Sequence, residues 1–299
     1  MKKTLALAVL AVMAANLSIF AADIGSSGWN ILRMVKSAKP APLSNCAYNR
    51  GDVSGIFYNP AVVGTIQKNN VSLMMESGLA QDTLQGAVFG MKGLSFGYVS
   101  YDTGMESVLM EEGGVEVERF LSMQKDTMGI VAAGFAPAKG LTVGFSGKYV
   151  TSAVAETAKG SAVCADIGAT YAGGKSGVVV VSGALQNIGP AAEIGGSAQD
   201  LPLSAWMGAA CALPLARNSS LGLGIDGKYL VKEGRLLPGA GIEYSMGGVE
   251  MSVAYNAAGA GGSLQFGLGM NAGDVGLTYA FQPSQYLNPA HRFNVNFSF

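Results

Sequence analysis

The sequence predicts an all-β fold, and specifically a transmembrane antiparallel β-barrel. Three observations predict it: a composition poor in charge, a strict alternation of residue types along many short segments, and the lack of a helical apolar run after residue 22. A membrane-spanning helix needs about 20 consecutive apolar residues. Barrel strands alternate between lipid-facing and lumen-facing residues, so an apolar protein of this kind shows no long apolar run.

Composition excludes several other classes of protein. The 299 residues are 49% hydrophobic and only 13% charged, where about 25% charged is usual. Lys and Arg total 19 and Asp and Glu total 20, and this balance excludes a chain dominated by nucleic-acid binding, which carries a basic surplus. High hydrophobicity with little net charge also excludes disorder. The 43 glycines follow no Gly-X-Y period, so collagen is excluded.

Residues 1–22 are predicted to be a secretory signal peptide. Lys2 and Lys3 form a basic start, an uncharged stretch rich in Leu, Ala and Val follows, and two small residues precede Asp23. An uncleaved membrane anchor is the alternative, but no basic stop-transfer cluster follows the apolar stretch. We therefore expect export from the cytoplasm.

Period-two alternation is clearest in the last segment of the chain. Phe293, Val295 and Phe297 share one phase, and Asn294 and Asn296 share the other. Similar segments recur from residue 71 onwards, each close to the 9–11 residues that a tilted strand needs to cross the hydrocarbon core. They are 71–79, 84–91, 94–102, 115–122, 127–136, 141–151, 161–172, 177–186, 202–213, 219–230, 236–246, 248–256, 262–271, 274–282 and 291–299.

These fifteen segments favour a barrel of fourteen strands, because bacterial single-chain barrels have an even number. The weakest candidate is 115–122, where Glu116, Glu118 and Arg119 crowd a short stretch, and we expect it to lie in an exposed loop. Short glycine-rich connections between most of the other segments suit an up-and-down meander.

A soluble β-sandwich or β-helix is the alternative fold. Its outer face would need solvation, whereas the second phase here is mostly Gly, Ala and Ser, which favours an enclosed interior. Several tyrosines fall in the apolar phase near strand ends, where they predict an aromatic girdle at the membrane interface, although tyrosine is also common in ordinary strands. They are Tyr149, Tyr171, Tyr229, Tyr244, Tyr255 and Tyr279.

Residues 23–66 follow a different pattern from the rest of the chain. Few of them alternate, and they carry two compact motifs, GSSGWNILR at 25–33 and DVSGIFYNPA at 52–61. Asn59 before a proline favours an extended or turn conformation. Pro60 lacks a donor and suits the start of a strand or a loop.

The two motifs, in this order and after a signal peptide, resemble those of the PorV/PorQ proteins and the related UPF0164 group, within the FadL-like superfamily of outer-membrane barrels. The resemblance covers residues 25–66 specifically and the rest of the chain only in its general pattern. One departure is that the family has a glycine-rich run between the motifs, whereas residues 36–47 contain no glycine.

The resemblance implies a fourteen-stranded barrel, residues 67–299, with residues 23–66 inside the lumen as a hatch or plug. The hatch residues expected to contact ligand or hold the gate are Phe57, Tyr58, Asn59, Pro60 and Ala61. FadL-like proteins pass hydrophobic compounds such as long-chain fatty acids across the outer membrane, whereas PorV-like members carry cargo proteins in type IX secretion. The C-terminal Phe299 resembles the signal that the barrel assembly machinery recognises.

The lumen phase is predicted to contain few charged residues, of both signs. A general porin would line its channel with more charge, so this interior favours a plugged barrel or a conduit for hydrophobic ligands. The alternative is structural, with Lys148, Lys228, Asp226 and Glu243 pairing to hold the barrel together. The predicted lumen residues are Lys148, Asp166, Asp226, Lys228, Glu243 and Glu250.

Nothing in the sequence predicts catalysis, a cofactor or a metal site. His291 is the single histidine and is expected at the membrane interface, and no G-x-S-x-G elbow is present. Cys46, Cys164 and Cys211 are too widely spaced for a metal motif, and the last two are expected to be small apolar fillers in mid-strand. The sequence therefore predicts a protein that is not an enzyme.

Three functions remain open at the level of sequence. The leading expectation is passive passage of hydrophobic small molecules past the N-terminal hatch in the outer membrane. The alternative is a PorV-like component of type IX secretion that binds cargo proteins. The third is a structural or adhesive surface barrel without a conduit.

Overall fold

The computed structural model describes residues 27–34, 36–39, 52–78, 82–173, 179–216, 218–257, 263–284 and 288–299. The predicted signal peptide and Cys46 lie outside the described residues. Three short 3₁₀ helices, Asn30–Leu32, Val53–Phe57 and Pro60–Thr65, precede the strands. Among the described residues, no helix has both the length and the apolar character that crossing a membrane requires.

Eighteen β-strands follow within the described residues, and every recorded strand pair is antiparallel. They are β1 (Asn70–Ser77), β2 (Thr83–Met91), β3 (Leu94–Asp102), β4 (Met105–Glu112), β5 (Val115–Ser122), β6 (Gln124–Ala138), β7 (Leu141–Val154), β8 (Ala158–Gly173), β9 (Val179–Ile188), β10 (Ala192–Ile194), β11 (Ser197–Gln199), β12 (Ser204–Ala216), β13 (Ser219–Leu230), β14 (Arg235–Met246), β15 (Val249–Asn256), β16 (Ser263–Ala272), β17 (Val275–Gln282) and β18 (Ala290–Ser298).

Fourteen of these strands close into a barrel. One sheet holds sixteen strands, and two of them, β10 and β11, form a short hairpin beside the start of β8. The other fourteen form a ring, because β8 pairs with β9 on one side and β1 pairs with β18 on the other. The register at the β1–β18 seam joins Asn70 to Ser298 and Ser77 to His291. The predicted fourteen-stranded antiparallel barrel is confirmed.

Residues 115–122 do form a strand, β5, but it lies outside the barrel. It pairs with β4 in a separate two-stranded sheet that connects β3 to β6. The expectation that this segment belongs to an exposed connection is therefore confirmed, and the remaining fourteen predicted segments all overlap barrel strands. Strands β4, β10 and β11 were not predicted.

Alternate side chains of each barrel strand face outward, as the alternation predicts. In β16, Leu264 and Leu268 are 47% and 55% exposed, whereas Gln265 between them is 2% exposed. The exposed positions around the ring are mostly large and apolar, and they include Tyr149, Tyr171 and other tyrosines predicted for a girdle. An exposed apolar belt of this extent is far larger than a water-soluble monomer carries, and it suits contact with lipid.

The two ends of the barrel differ in the length of their connections. At the end that carries Asn70 and Ser298, here called the terminal end, most strands join through two-residue turns. Gly247 and Gly248 make one such turn with φ of 59° and 88°, values that favour glycine. At the opposite end, here called the loop end, the connections are longer and include the β4–β5 hairpin.

Candidate functional site

Residues 52–66 form two consecutive 3₁₀ helices whose starts are fixed by side-chain caps. The Asp52 carboxylate accepts the N–H two residues ahead of it at 2.9 Å. The Asn59 amide oxygen accepts the Ala61 N–H at 2.9 Å, and Pro60 occupies the first helical position. A proline at this position costs no hydrogen bond, because the first N–H groups of a helix have no partner within it.

The five predicted hatch residues are all buried against the inner wall of the barrel. The Asn59 amide group donates to Thr170 Oγ1 of β8 at 3.2 Å and to the Gly183 carbonyl of β9 at 3.4 Å. The Gln186 amide of β9 donates to the carbonyl oxygens of Phe57 and Tyr58, at 2.8 and 3.0 Å. Four of the five are 6% exposed or less: Phe57, Tyr58, Asn59 and Ala61.

Glycines on the wall make room for this segment. A Cβ on Gly144 of β7 would overlap the Pro60 carbonyl oxygen and lie 2.7 Å from the Ala61 nitrogen. A Cβ on Gly134 of β6 would lie 2.7 Å from the Gly64 nitrogen. Gly134 and Gly144, on the inward faces of β6 and β7, therefore allow the close approach of a second backbone.

An apolar cluster fills this part of the interior. Phe57 and Tyr58 pack within it, and the Tyr58 ring meets Trp206 of β12 edge-on at a centroid distance of 6.0 Å. The wall contributes side chains from many strands, and the burial of this apolar area favours the docked position of residues 52–66. The cluster includes Trp29, Ile31, Ile56, Val62, Val63, Leu84, Val88, Val99, Met128, Ile130, Val150 and Trp206.

Residues 27–34 and 36–39 lie in the interior, with the first of them near the loop end. Near that end, Ser27 Oγ donates to Glu233 Oε1 at 2.8 Å, and Arg33 pairs with the same carboxylate. Glu233 lies in the turn between β13 and β14. Burial opposes ionisation of this carboxyl, but the hydrogen bond from Ser27 and the Arg33 charge outweigh it and hold its pKa below the usual value.

A group of buried lysines adjoins the apolar cluster. The Lys36 side chain is 3% exposed and donates to the Met34 carbonyl at 2.9 Å, while its backbone N–H donates to the Tyr58 hydroxyl at 2.8 Å. Burial first, and then the charges of Lys148 and Lys228, lower the pKa of Lys36 well below its usual value. The protonated form of Lys36 is therefore disfavoured in this part of the interior.

Four of the six predicted lumen residues make ion pairs, with different partners. Lys148 Nζ and Asp166 Oδ2 are 2.7 Å apart and both residues are buried, so the predicted structural role for Lys148 has a definite partner. Glu243 and Glu250 instead meet Lys39, at 3.2 and 3.7 Å.

The remaining two predicted lumen residues lie on β13 and are half-buried. They are Asp226 and Lys228, and the Lys228 ammonium sits 4.8 Å from the centre of the Trp206 ring. This distance is within the range of a cation–π interaction. The pairing of Lys148, Lys228, Asp226 and Glu243 with one another stays a prediction.

The inward faces of β1 and β15–β18, here called the polar side, differ from the packed side formed by β6–β9 and residues 52–66. Polar side chains bond across the β1–β18 seam: Asn70 donates to Ser298 at 2.9 Å, and Arg292 Nε lies 2.5 Å from Glu76 Oε2. A cavity of about 260 Å³ opens between this wall and the N-terminal segment. It is lined by Ser37, Lys39, Asp52, Asn70, Glu250, Asn271, Gly273, Asp274, Val275, Gly276, Thr278, Asn294, Asn296 and Ser298.

Several of these interior residues were not singled out from the sequence. Lys36 and Lys39 carried no motif signal, and Trp206 looked like ordinary strand composition. Glu76 and Arg292 lie in the inward phase of their strands. Their charge in an otherwise uncharged phase could have identified them from the sequence.

The residues for which the sequence predicts no catalytic or metal-binding role, two cysteines and the histidine, lie on strands of the barrel wall. Cys164 is buried in β8 and Cys211 half-buried in β12, and both are free thiols in mid-strand. His291 Nδ1 and the Tyr279 hydroxyl lie 2.8 Å apart on the outer face of β17 and β18. Within the described ranges no group of three or more His, Cys, Asp or Glu is arranged to hold a metal ion.

The fold and site together define a closed fourteen-stranded barrel with an apolar outer belt and a polypeptide segment against its inner wall. Solved structures share this architecture. The chain is similar to the toluene transporter TodX of P. putida, with a TM-score of 0.51 and 10% identity over 83% of this chain and 94% of that chain. It is also similar to CymD, a monoaromatic hydrocarbon channel, with a TM-score of 0.55 and 10% identity over 87% and 97%.

These likenesses establish the fold alone. Identity this low carries no information about the ligand. No protein-family model matches the chain, and no curated protein matches it by sequence. The solved structures also include a FadL homologue of Pseudomonas aeruginosa, with a TM-score of 0.47 and 9% identity over 84% of this chain and 94% of that chain. The narrower resemblance to PorV/PorQ and UPF0164 proteins stays a prediction.

Proposed function

We propose that this protein is an outer-membrane channel for hydrophobic small molecules, and that long-chain carboxylic acids such as fatty acids are its substrate class. The observation that carries the proposal is the packed side of the interior, where apolar wall residues are covered by residues 52–66. A segment that covers an apolar wall becomes a gate when it moves, because its departure opens an apolar path through the barrel.

The outer belt supports the membrane location. Large apolar side chains stand 40–55% exposed around the ring, among them Phe145, Val181, Phe266 and Phe293. Short turns at the terminal end and longer connections at the loop end match the periplasmic and extracellular ends of outer-membrane barrels. We therefore place the terminal end in the periplasm and the loop end outside the cell.

The substrate class follows from the lysines beside the apolar cluster. An apolar tail fits among Phe57, Tyr58 and Trp206, and a carboxylate would supply the counter-charge that favours the protonated form of Lys36, which burial and the neighbouring lysines disfavour. The indole Nε1 of Trp206 is buried without a hydrogen-bond partner, so it offers a further donor to an acidic head group. The two similar channels are a toluene transporter and a monoaromatic hydrocarbon channel, and a purely hydrocarbon ligand would offer no acceptor to the Trp206 indole N–H.

The gate is tested by tethering the segment to the wall. The Asn59 amide nitrogen lies 3.2 Å from Thr170 Oγ1 of β8, so these two side chains meet across the contact between the segment and the wall. The variant carrying Asn59→Cys and Thr170→Cys is oxidised, and uptake of radiolabelled oleate into cells or proteoliposomes is measured. We expect oxidation to abolish uptake and reduction to restore it.

Each single cysteine variant and the unmodified protein are the matched controls, and oxidation should leave their uptake unchanged. Equal uptake by the oxidised and reduced double variant would contradict a gating role for residues 52–66.

Substrate class is tested by binding to the purified protein. We expect Lys36→Met to weaken oleate binding about tenfold, which corresponds to ~1.4 kcal/mol, and to leave binding of a neutral alkane of equal length unchanged. Lys125→Met, which removes an exposed lysine of β6, is the control. Equal loss for both ligands would assign Lys36 a structural role, and no lipid in organic extracts of the purified protein would count against the whole proposal.

A further inference from the structure

The polar side contains a feature that passage of hydrophobic molecules does not use. Its inward positions are Asn, Ser, Thr, Gln, Gly and Ala with few exceptions, and its cavity at the terminal end measures about 260 Å³. One water molecule needs only about 10–15 Å³ of such space. A cavity of this size with a hydrophilic wall is therefore filled with water rather than with an apolar ligand.

Charge in the cavity favours cations. Among the described residues that line it, three are carboxylates, from Asp52, Glu250 and Asp274, and one is an ammonium, from Lys39. Asp274 is paired at the rim with Lys68 at 2.9 Å, and both of these side chains are more than half exposed. Glu243 adds a fourth carboxylate beside Lys39, so carboxylates outnumber ammonium groups in the described part of this region.

A buried polar atom in the cavity wall also lacks a partner. Asn70 is 7% exposed and lines the cavity, and its Oδ1 has no hydrogen-bond partner while its Nδ2 bonds Ser298. A carbonyl-type oxygen without a donor is a ligand for water or for a small cation, and leaving it unsatisfied is costly. This observation is independent of the carboxylates.

One layer of hydrogen-bonded side chains bounds the cavity toward the loop end. Arg292 lies two positions before Asn294 on the inward face of β18, which places it about 7 Å closer to the loop end along the wall. Its guanidinium bridges Glu76 of β1, at 2.5 and 3.3 Å, and Gln282 of β17, at 3.0 Å. Gln265 of β16 extends the band by donating to Gln282 at 3.2 Å.

We propose that the polar side forms an aqueous, cation-preferring passage for small ions, separate from the apolar path, and that the Glu76–Arg292 bridge closes it. The water-filled cavity is its vestibule at the terminal end. Carboxylates in the vestibule raise the local concentration of cations and exclude anions, as rings of acidic side chains do in cation channels. The positive guanidinium at the bridge opposes cation passage until the bridge opens.

The test is ion conductance of the purified full-length protein in planar lipid bilayers under a KCl gradient. We expect low conductance for the unmodified protein, and an increase of at least about tenfold for Arg292→Gln, with a reversal potential that reports K⁺ preference. Lys125→Gln breaks an exposed ion pair at the loop end and is the control with unmodified conductance. Arg292→Lys keeps the charge with fewer donors and should give an intermediate value.

Selectivity is tested separately from opening. We expect Asp52→Asn combined with Glu250→Gln, in the Arg292→Gln background, to reduce the K⁺ preference toward none while conductance stays high. Heat-modifiable migration on a gel checks that each variant is a folded barrel. Unchanged conductance in folded Arg292→Gln, or a preference for Cl⁻, would overturn the proposal.

If Arg292→Gln does not fold, a second measurement tests whether the cavity prefers cations. Asn296→Cys places a thiol in the cavity wall, and we expect a cationic methanethiosulfonate to label it at least about tenfold faster than an anionic one, because the local charge is negative. Labelling of the unmodified protein gives the background from its own cysteines. Equal rates, or faster anionic labelling, would overturn the proposal. Neither result depends on whether hydrophobic molecules are transported.

Discussion

The packed side and the polar side of the barrel interior are both walls of antiparallel strands, and they differ in what covers them. On the packed side, glycines of β6 and β7 receive the backbone of residues 52–66, and buried apolar side chains fill the space. On the polar side, cross-strand hydrogen bonds and the Glu76–Arg292 pair replace apolar packing, and a cavity remains. Large apolar side chains face outward on both sides, among them Phe145 of β7 and Phe266 of β16. The contrast between the sides therefore lies in the inward phase.

The largest expected difference between the sides comes from a matched pair of glycine substitutions. Gly144→Ala places a Cβ against the Pro60 backbone, which cannot yield without moving the segment, and overpacking of this kind costs up to about 3 kcal/mol. Gly269→Ala on the polar side meets only the flexible Glu250 side chain, at 3.1 Å, and should cost less than about 1 kcal/mol. Urea unfolding in detergent micelles measures both. Equal costs would mean that the sides are packed alike.

A smaller loss is expected from Asn59→Ala. The substitution removes the helix cap and leaves the Thr170 hydroxyl and two wall carbonyls with one donor fewer, for a loss of about 2 kcal/mol. Limited proteolysis should then cut within residues 52–66 while the barrel strands stay protected. Asn271→Ala, on the polar side, is the comparison and should leave that cleavage unchanged. Protection of the segment in Asn59→Ala would contradict the importance of these bonds.

Acid is expected to weaken the contact of Ser27 and Arg33 with Glu233 at the loop end, with a smaller loss of stability than the substitutions above. The folded-state pKa of Glu233 is held below its ordinary value of 4.5, so the stabilisation is present above pH 4.5 and is lost as the pH falls through the folded pKa. A hydrogen-bonded charge of this kind contributes about 1.5 kcal/mol. Fluorescence of the two tryptophans, Trp29 and Trp206, should report the change, because both belong to the apolar cluster. Glu233→Gln should show no such pH dependence, and an identical acid transition in that variant would refute the assignment.

The smallest effect is expected for Lys68→Gln at the rim of the cavity. Its ion pair with Asp274 is more than half exposed on both sides, and such pairs contribute about 0–1 kcal/mol and weaken with salt. Unfolding at low and high salt measures the loss. A cost above that range would show that the rim supports the polar side more strongly than its exposure implies.

Much of the barrel was predictable because its signal is local. A period of two over eight or more residues identifies a strand and its outward face, and fourteen barrel strands followed from it. Strand β4 escaped prediction because its sequence, MESVLMEE, breaks strict alternation and ends in adjacent carboxylates. The short strands β10 and β11 are three residues each, too few to show a period.

The interior contacts were not predictable, because they join residues far apart in sequence. The hydrogen bond from Asn59 to Gly183 spans 124 residues, and Lys39 meets Glu243 from another part of the chain. The 3₁₀ helices that carry Phe57 to Ala61 are too short for a helical period. The motif marked these residues as unusual, but only the folded wall defines their partners.

The pairing of β1 with β18 constrains how the molecule is assembled. The bond between Asn70 and Ser298 joins residues 228 apart, so the seam cannot form until the last strand has been synthesised and delivered. Residues 52–66 end only a few positions before β1 begins. Once the first and last barrel strands have paired, the closed ring blocks every lateral path, so residues 52–66 can then reach the wall only through an open end of the barrel. Closure of the seam therefore sets the route by which the segment can dock.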